Sequence, residues 1–257
     1  MFAFKSSRPS VVLVCALLLY GMFLVNFQIY HFGFQSLEAI FGSTNKWISV
    51  HDIYRFVFVL AIALWLVGYG HISPASLGLE KQKIPFAVLV TVLTWIIIQF
   101  VAAAVCLVCE HRLCAASPVF SNSVIRLFMG QVFGNSLLEE GVFRGYLIFC
   151  LSKYLMGSKG LALTASAILF ALSHIPWFIS IGRPFYYLIP IMVGGVLFGL
   201  LYFKTENLWL CIGIHSLIDV PAQLWGASPN LSLVPVAVGL LFIIIYPSSA
   251  IIRYAKS

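Results

Sequence analysis

Residues 84–109 read IPFAVLVTVLTWIIIQFVAAAVCLVC, without one charged side chain. A helix rises about 1.5 Å per residue and the hydrocarbon core of a bilayer is about 30 Å thick, so about 20 apolar residues cross it. Inside lipid every backbone N–H and C=O must find a partner within the protein, which leaves helices or closed barrels. A barrel needs short strands of alternating polarity, and this stretch does not alternate. Working outward, comparable runs cover Val11–Tyr30, Ile53–Gly70, Ile84–Cys109, Val124–Lys153, Leu161–Ile181, Phe185–Phe203, Leu208–Leu224 and Leu231–Tyr254. Turn-forming stretches such as Gly157-Ser158-Lys159-Gly160 and Gly182-Arg183-Pro184 separate them. The pattern predicts an all-α polytopic transmembrane bundle of about eight spans, forming one membrane domain over residues 1–257.

Composition agrees. Hydrophobic residues make up 61% of the 257 and charged residues 9%, against about 25% charged in soluble domains. So few charges cannot cover a surface that faces water. The net charge of +7 comes from lysines and arginines scattered singly between apolar runs. No basic patch forms, which argues against nucleic acid as a partner and makes membrane lipid the surrounding medium. Lys5, Arg8, Lys81, Lys83, Lys153, Lys159, Lys204, Arg253 and Lys256 would share one side, while Lys46, Arg55, Arg112, Arg126 and Arg183 would share the other. The positive-inside rule then puts both termini in the cytoplasm, with a bacterial plasma membrane the expected location. The first run is too long for a signal peptide and lacks a small-residue cleavage site, so it reads as a retained span. Cys106-x-x-Cys109-Glu110-His111-x-x-Cys114 suggests zinc or a disulfide only weakly, and a plain helix end explains it as well.

The informative residues are those that lipid should exclude. A charge at the bilayer centre costs at least about 2.5–3.5 kcal/mol, yet Glu139, Glu140, Arg144, His174, His215 and Asp219 all fall within predicted spans. In Glu139-Glu140-Gly141-Val142-Phe143-Arg144, residues four apart share a helix face, so Glu140 and Arg144 are expected to form a structural ion pair. Glu139 is turned about 100° from Glu140 and stays available. On an ideal helix Gly130, Gly134, Gly141 and Gly145 lie within about 60° of one another, a strip that another helix could approach. In Phe170-Ala171-Leu172-Ser173-His174-Ile175-Pro176 the proline lacks an N–H and loosens the helix beside the histidine. In His215-Ser216-Leu217-Ile218-Asp219 the spacing lets the acid hold the ring. Gly195-x-x-x-Gly199 is read as helix packing only. Each motif alone also fits a satisfied buried polar contact.

These three stretches, in order on three hydrophobic segments, resemble the CPBP family of intramembrane proteases, which takes in type II CAAX prenyl endopeptidases and bacteriocin-processing or self-immunity proteins. The matching motifs are E-E-x-x-x-R, F-x-x-x-H and H-x-x-x-N/D, over about Val124 to Pro221. The resemblance implies an endopeptidase whose core lies at about residues 124–221, with Glu139, His174, His215 and Asp219 catalytic. Glu139 would activate a water held with His174, and His215 would face the developing oxyanion. Asp219 stands where the prenyl proteases have Asn and is expected to orient His215, because an ionised Asp cannot donate a hydrogen bond. No cofactor is favoured. Zinc, if used, would be held by Glu139, His174 and His215. The partner is a peptide or membrane-protein substrate, prenylated or leader-type. A non-catalytic immunity or regulatory protein of the same fold is the alternative. A proton-coupled transporter is another, although the internal symmetry common in transporters is missing here. The topology carries its own test: a reporter fused after Ser257 should be active only in the cytoplasm, and activity confined to the far side would overturn the orientation.

Overall fold

The computed structural model describes residues 73–111, 122–152 and 158–220, together with two isolated helical positions, Gly21 and Val57. All regular structure among these residues is helical. Helix α1 is Ile84–Glu110, α2 is Asn122–Gly130 and α3 is Leu137–Glu140. Helix α4 is Lys159–Ser173, α5 is Ile175–Ser180, α6 is Leu188–Thr205 and α7 is Leu208–Asp219. Two π-helical segments, Gln131–Ser136 and Gly141–Ile148, flank α3, so residues 122–152 form one irregularly wound rod. Among the described residues three helical stretches are long and apolar enough to cross a membrane: Lys81–Cys109, Lys159–Ile179 and Phe185–Thr205; Leu208–Asp219 is shorter. The expected spans Val11–Tyr30, Ile53–Gly70 and Leu231–Tyr254 lie outside the described residues.

The burial pattern is that of a protein solvated by lipid. Val88, Leu89, Val92, Phe100 and Val108 of α1 are exposed, as are Leu161, Ile168 and Leu172 of α4 and Ile189 and Val193 of α6. The interior holds Glu139, Glu140, Arg144, Ser136, Ser173, His215 and Ser216. Water would favour the reverse distribution, whereas lipid has no quarrel with exposed leucine and penalises exposed charge.

Among the described helices, the most extensive packing joins α4 to α6 and α7 to α1. Glycine makes both possible. A Cβ on Gly195 would lie 3.1 Å from the Cα and Cβ of Ala167, so α6 and α4 meet nearly backbone to backbone. A Cβ on Gly213 would collide with the Thr91 hydroxyl, which brings α7 equally close to α1. Gly195-x-x-x-Gly199 therefore packs helices, as its spacing suggests. Of the strip expected from Gly130, Gly134, Gly141 and Gly145, the last two behave differently from each other. A Cβ on Gly145 would sit 3.2 Å from Leu208 Cδ2, but one on Gly141 would meet nothing within 4 Å. The π winding between them closes its hydrogen bonds one residue later than an α-helix, which rotates residues off the faces of an ideal wheel.

One end of the bundle is stitched by polar groups. Asn207 caps α7, its side-chain oxygen accepting from Leu210 N at 3.2 Å, while its Nδ2 donates to Lys83 O at 3.1 Å. Lys83 Nζ donates to Glu206 O at 2.8 Å, Leu208 N to Gly78 O at 3.1 Å and Tyr202 Oη to Leu77 O at 3.2 Å. These bonds satisfy the helix-end groups that lipid could not, and they hold α1 beside the α6–α7 turn. Lys83 and Lys159, assigned to one side by charge, line a single cleft of about 370 Å³ at this end together with Glu80, Phe203 and Glu206.

The two adjacent glycines on α6 give a paired test. Gly195→Leu should force α6 away from Ala167 and lower thermal stability by about 1–3 kcal/mol, the usual cost of overpacking. Gly194→Leu, whose added atoms would meet nothing within 4 Å, should leave the folded yield and melting temperature unchanged. Equal behaviour of the two in detergent would refute this contact.

Candidate active site

The rod delivers two neighbouring acids to the interior. Glu139 is 3% exposed and Glu140 0%. They sit at the end of α3 between the two π segments, a type of irregularity that often marks functional positions. Further along the rod, Arg144 Nη1 donates to Glu140 Oε1 at 2.9 Å with both side chains buried. The guanidinium also lies 4.4 Å from the Phe170 ring centre and 5.2 Å from that of Phe198. Aromatic faces attract cations, most strongly where water is excluded.

Helix α4 is broken where Pro176 loosens it. It stops at Ser173, and His174 takes φ −85° and ψ −8° before α5 begins with the proline in its first turn. His174 Nδ1 lies 2.8 Å from Phe170 O, and its ring meets Phe170 edge to face at 4.8 Å. Phe170 thus stands between Arg144 and His174. Ser166 Oγ donates to Phe143 O at 2.8 Å, tying α4 to the π-wound part of the rod.

Helix α7 brings His215 against both acids. Its Nδ1 is 2.7 Å from Glu140 Oε1, while Nε2 is 3.7 Å from Glu139 Oε2 and 3.7 Å from Asp219 Oδ2. The ring is flanked by Phe198 at 5.4 Å and Phe170 at 6.3 Å between centres. The Ser136 and Ser216 hydroxyl oxygens lie 3.0 Å apart and join α7 to the rod one turn before the acids. Glu140, His174, His215 and Asp219 all lie within electrostatic reach of Glu139. Arg144, His174, His215 and Asp219 therefore gather about Glu139 or Glu140 from three separate stretches of chain.

The structure adds a second acid to the expected His215–Asp219 pair. The spacing of His215 and Asp219 suggests that Asp219 holds the ring, but the bonded nitrogen is Nδ1 and its partner is Glu140. Asp219 stands on the other side of the ring, beyond hydrogen-bond length and 29% exposed. The reason is proximity in space: α7 packs on the rod and brings Glu140 closer to the ring than its own helix brings Asp219. Glu140 is thus more than the partner of Arg144. Phe198 and Ser136 also belong to the surroundings of the site, and no sequence signal singled them out, because an apolar Phe and a Ser look like ordinary span residues. Gly199, one residue from Phe198, was the nearest clue.

A zinc site would require Glu139, His174 and His215 to converge. Among the described residues no three His, Cys, Asp or Glu side chains are grouped to hold a metal ion. At the end of α1, Cys106 is buried, Cys109 is exposed and His111 caps the helix in the left-handed region; Cys114 lies outside the described residues. A groove of about 650 Å³ runs between α1, α2 and α7, bounded by Val88, Trp95, Phe128 and Trp209, and none of the site residues lines it.

Comparison with curated proteins and with solved structures gave no match. Residues 121–221, which contain every group of the site, match the family described as "Rce1-like: Type II CAAX prenyl endopeptidase Rce1-like". Over this segment, about two-fifths of the chain, the protein is similar to that family of prenyl endopeptidases.

Proposed function

We propose that the protein is an intramembrane endopeptidase in which Glu139 activates water against a peptide bond of a membrane-associated substrate. The observation that carries this reading is the approach of His215 Nε2 to Glu139 Oε2 at 3.7 Å within a buried cluster, in the segment matched by a peptidase family. Glu139 is the general base. It takes a proton from a water held between itself and His174, and the water oxygen attacks the scissile carbonyl carbon. His215 Nε2 donates to the oxygen as negative charge develops on it. The tetrahedral intermediate then collapses, the C–N bond breaks, and Glu139 returns the proton to the departing amine. The low-dielectric surroundings strengthen each of these interactions relative to water.

The site and the family likeness both support one substrate class. A site buried among lipid-facing helices suits a peptide held at the membrane by a lipid or by its own apolar segment. The family description makes prenylated CAAX-type peptides the first class to try. The reading is metal-free: Glu139, His174 and His215 come from three separate segments and lack the tight H-E-x-x-H spacing of a dedicated zinc helix. Asp219 faces Nε2, not the bonded Nδ1, and an amide at that position would add a donor on the oxyanion side.

Purified protein should cleave a farnesylated CAAX-type peptide, and Glu139→Gln should lower the rate at least about 10²–10⁴-fold, the range for a lost general base, with little change in folded yield. Wild-type rates carried by the Gln variant would sink the assignment, and absence of cleavage across prenylated and leader-type peptides would favour a non-catalytic role. Treatment with a strong chelator should leave the rate unchanged; loss restored by zinc would overturn the metal-free reading. Asp219→Asn should retain activity, whereas a collapse matching that of Glu139→Gln would show that its charge is required.

A further inference from the structure

The Glu140–Arg144 contact is not built as a clamp that serves only to neutralise charge. A carboxylate and a guanidinium pair best as two parallel bonds, fork to fork. Here a single bond joins Nη1 to Oε1, and Glu140 Oε2 and Arg144 Nη2, both buried, have no hydrogen-bond partner among the described residues. The same Oε1 that accepts from Arg144 also lies 2.7 Å from His215 Nδ1. The second bond of the fork has been given up for an orientation that reaches the histidine.

We propose that Glu140 is the positioning residue for His215. It accepts from Nδ1–H and so turns Nε2 toward Glu139 and the reaction cavity. Arg144, held over Phe170 at 4.4 Å, keeps Glu140 in place as an acceptor. Phe198 at 5.4 Å limits tilting of the ring. A histidine bonded at one nitrogen presents the other with a defined role, which is the logic by which a buried acid sets the working tautomer and stabilises the imidazolium in hydrolases. This assignment rests on the reading of His215 as the oxyanion donor, and it replaces Asp219 as the residue that fixes the ring.

The test uses the full chain in detergent with ¹⁵N-labelled histidine, the His215 signals being identified by their loss in His215→Gln. Wild type should show a protonated, strongly hydrogen-bonded His215 Nδ1, and Glu140→Gln should shift that signal while the other histidines keep theirs. If Gln destabilises the fold, Glu140→Asp supplies the same comparison, since it keeps a partner for Arg144 but draws the carboxylate back from the ring. An unprotonated Nδ1 in wild type, or a signal unmoved by either substitution, overturns the proposal. Farnesylated CAAX-type peptide is the kinetic probe, with rates taken per folded molecule. Glu140→Gln should lower kcat about 10–100-fold, as for outer partners of functional histidines, with KM within about threefold. The double variant with His215→Gln should be no slower than His215→Gln alone, because one residue acts through the other; additive losses overturn the proposal. The spectroscopic arm needs no turnover, so a failure of the protease reading, seen as indifference to Glu139→Gln, is distinct from a failure of this one.

Discussion

A carboxylate and a guanidinium placed among hydrocarbon must find each other, and the interior of this bundle is arranged around one such pair. Leaving either group alone would cost about 3–5 kcal/mol, the scale for a broken buried pair. Glu140 and Arg144 lie on the same rod, so their contact needs no neighbouring helix. The neighbours are nevertheless organised by it. Phe170 from α4 and Phe198 from α6 face the guanidinium, and His215 from α7 docks on the carboxylate. Each of these three helices contributes one ring to the same charged centre. Glu139, next in sequence but turned elsewhere, is thereby left to interact with the histidines.

The irregular backbone has a place in this arrangement. The rod is π-wound on both sides of the acids, and α4 breaks at His174. Such windings leave carbonyls and side chains in positions that a regular helix forbids. They are tolerated because other protein groups cover them: Ser166 bonds the Phe143 carbonyl, and Ser216 lies beside Ser136. The regular helices do the opposite work. Close approaches at Gly195 and Gly213 fix where α4, α6, α7 and α1 sit, and the irregular segments then place their side chains within that frame.

Much of this was legible from sequence for a simple reason. Apolar length and the scarcity of charge report the solvent, and ionisable residues inside apolar runs report where function sits. The helix break at His174 could be read because proline lacks an N–H whatever surrounds it. The partner of His215 could not. Sequence spacing sees only neighbours on the same helix, which favoured Asp219, whereas the bonded acid comes from a segment 75 residues away. The glycines of the strip differ for a related reason: the strip assumed 3.6 residues per turn, and the rod does not keep that period. Phe198 was hidden by its ordinariness, since one more phenylalanine among 22 carries no signal until its ring is seen beside a cation.

The spacing of Glu140 and Arg144 also bears on how the chain enters the bilayer. Two charges four residues apart on one helix are already neighbours when that helix first forms, so the segment can partition into lipid carrying a matched pair instead of two bare ions. His215 belongs to a later segment and meets the pair only after α7 has been inserted. The finished contacts thus divide into a local one within the rod, which can neutralise the charges during insertion, and a distant one that brings in the imidazole. Separating the acid from the arginine in sequence, even while restoring their contact in the finished fold, would remove that local neutralisation and leave the translocation machinery to handle each charge alone.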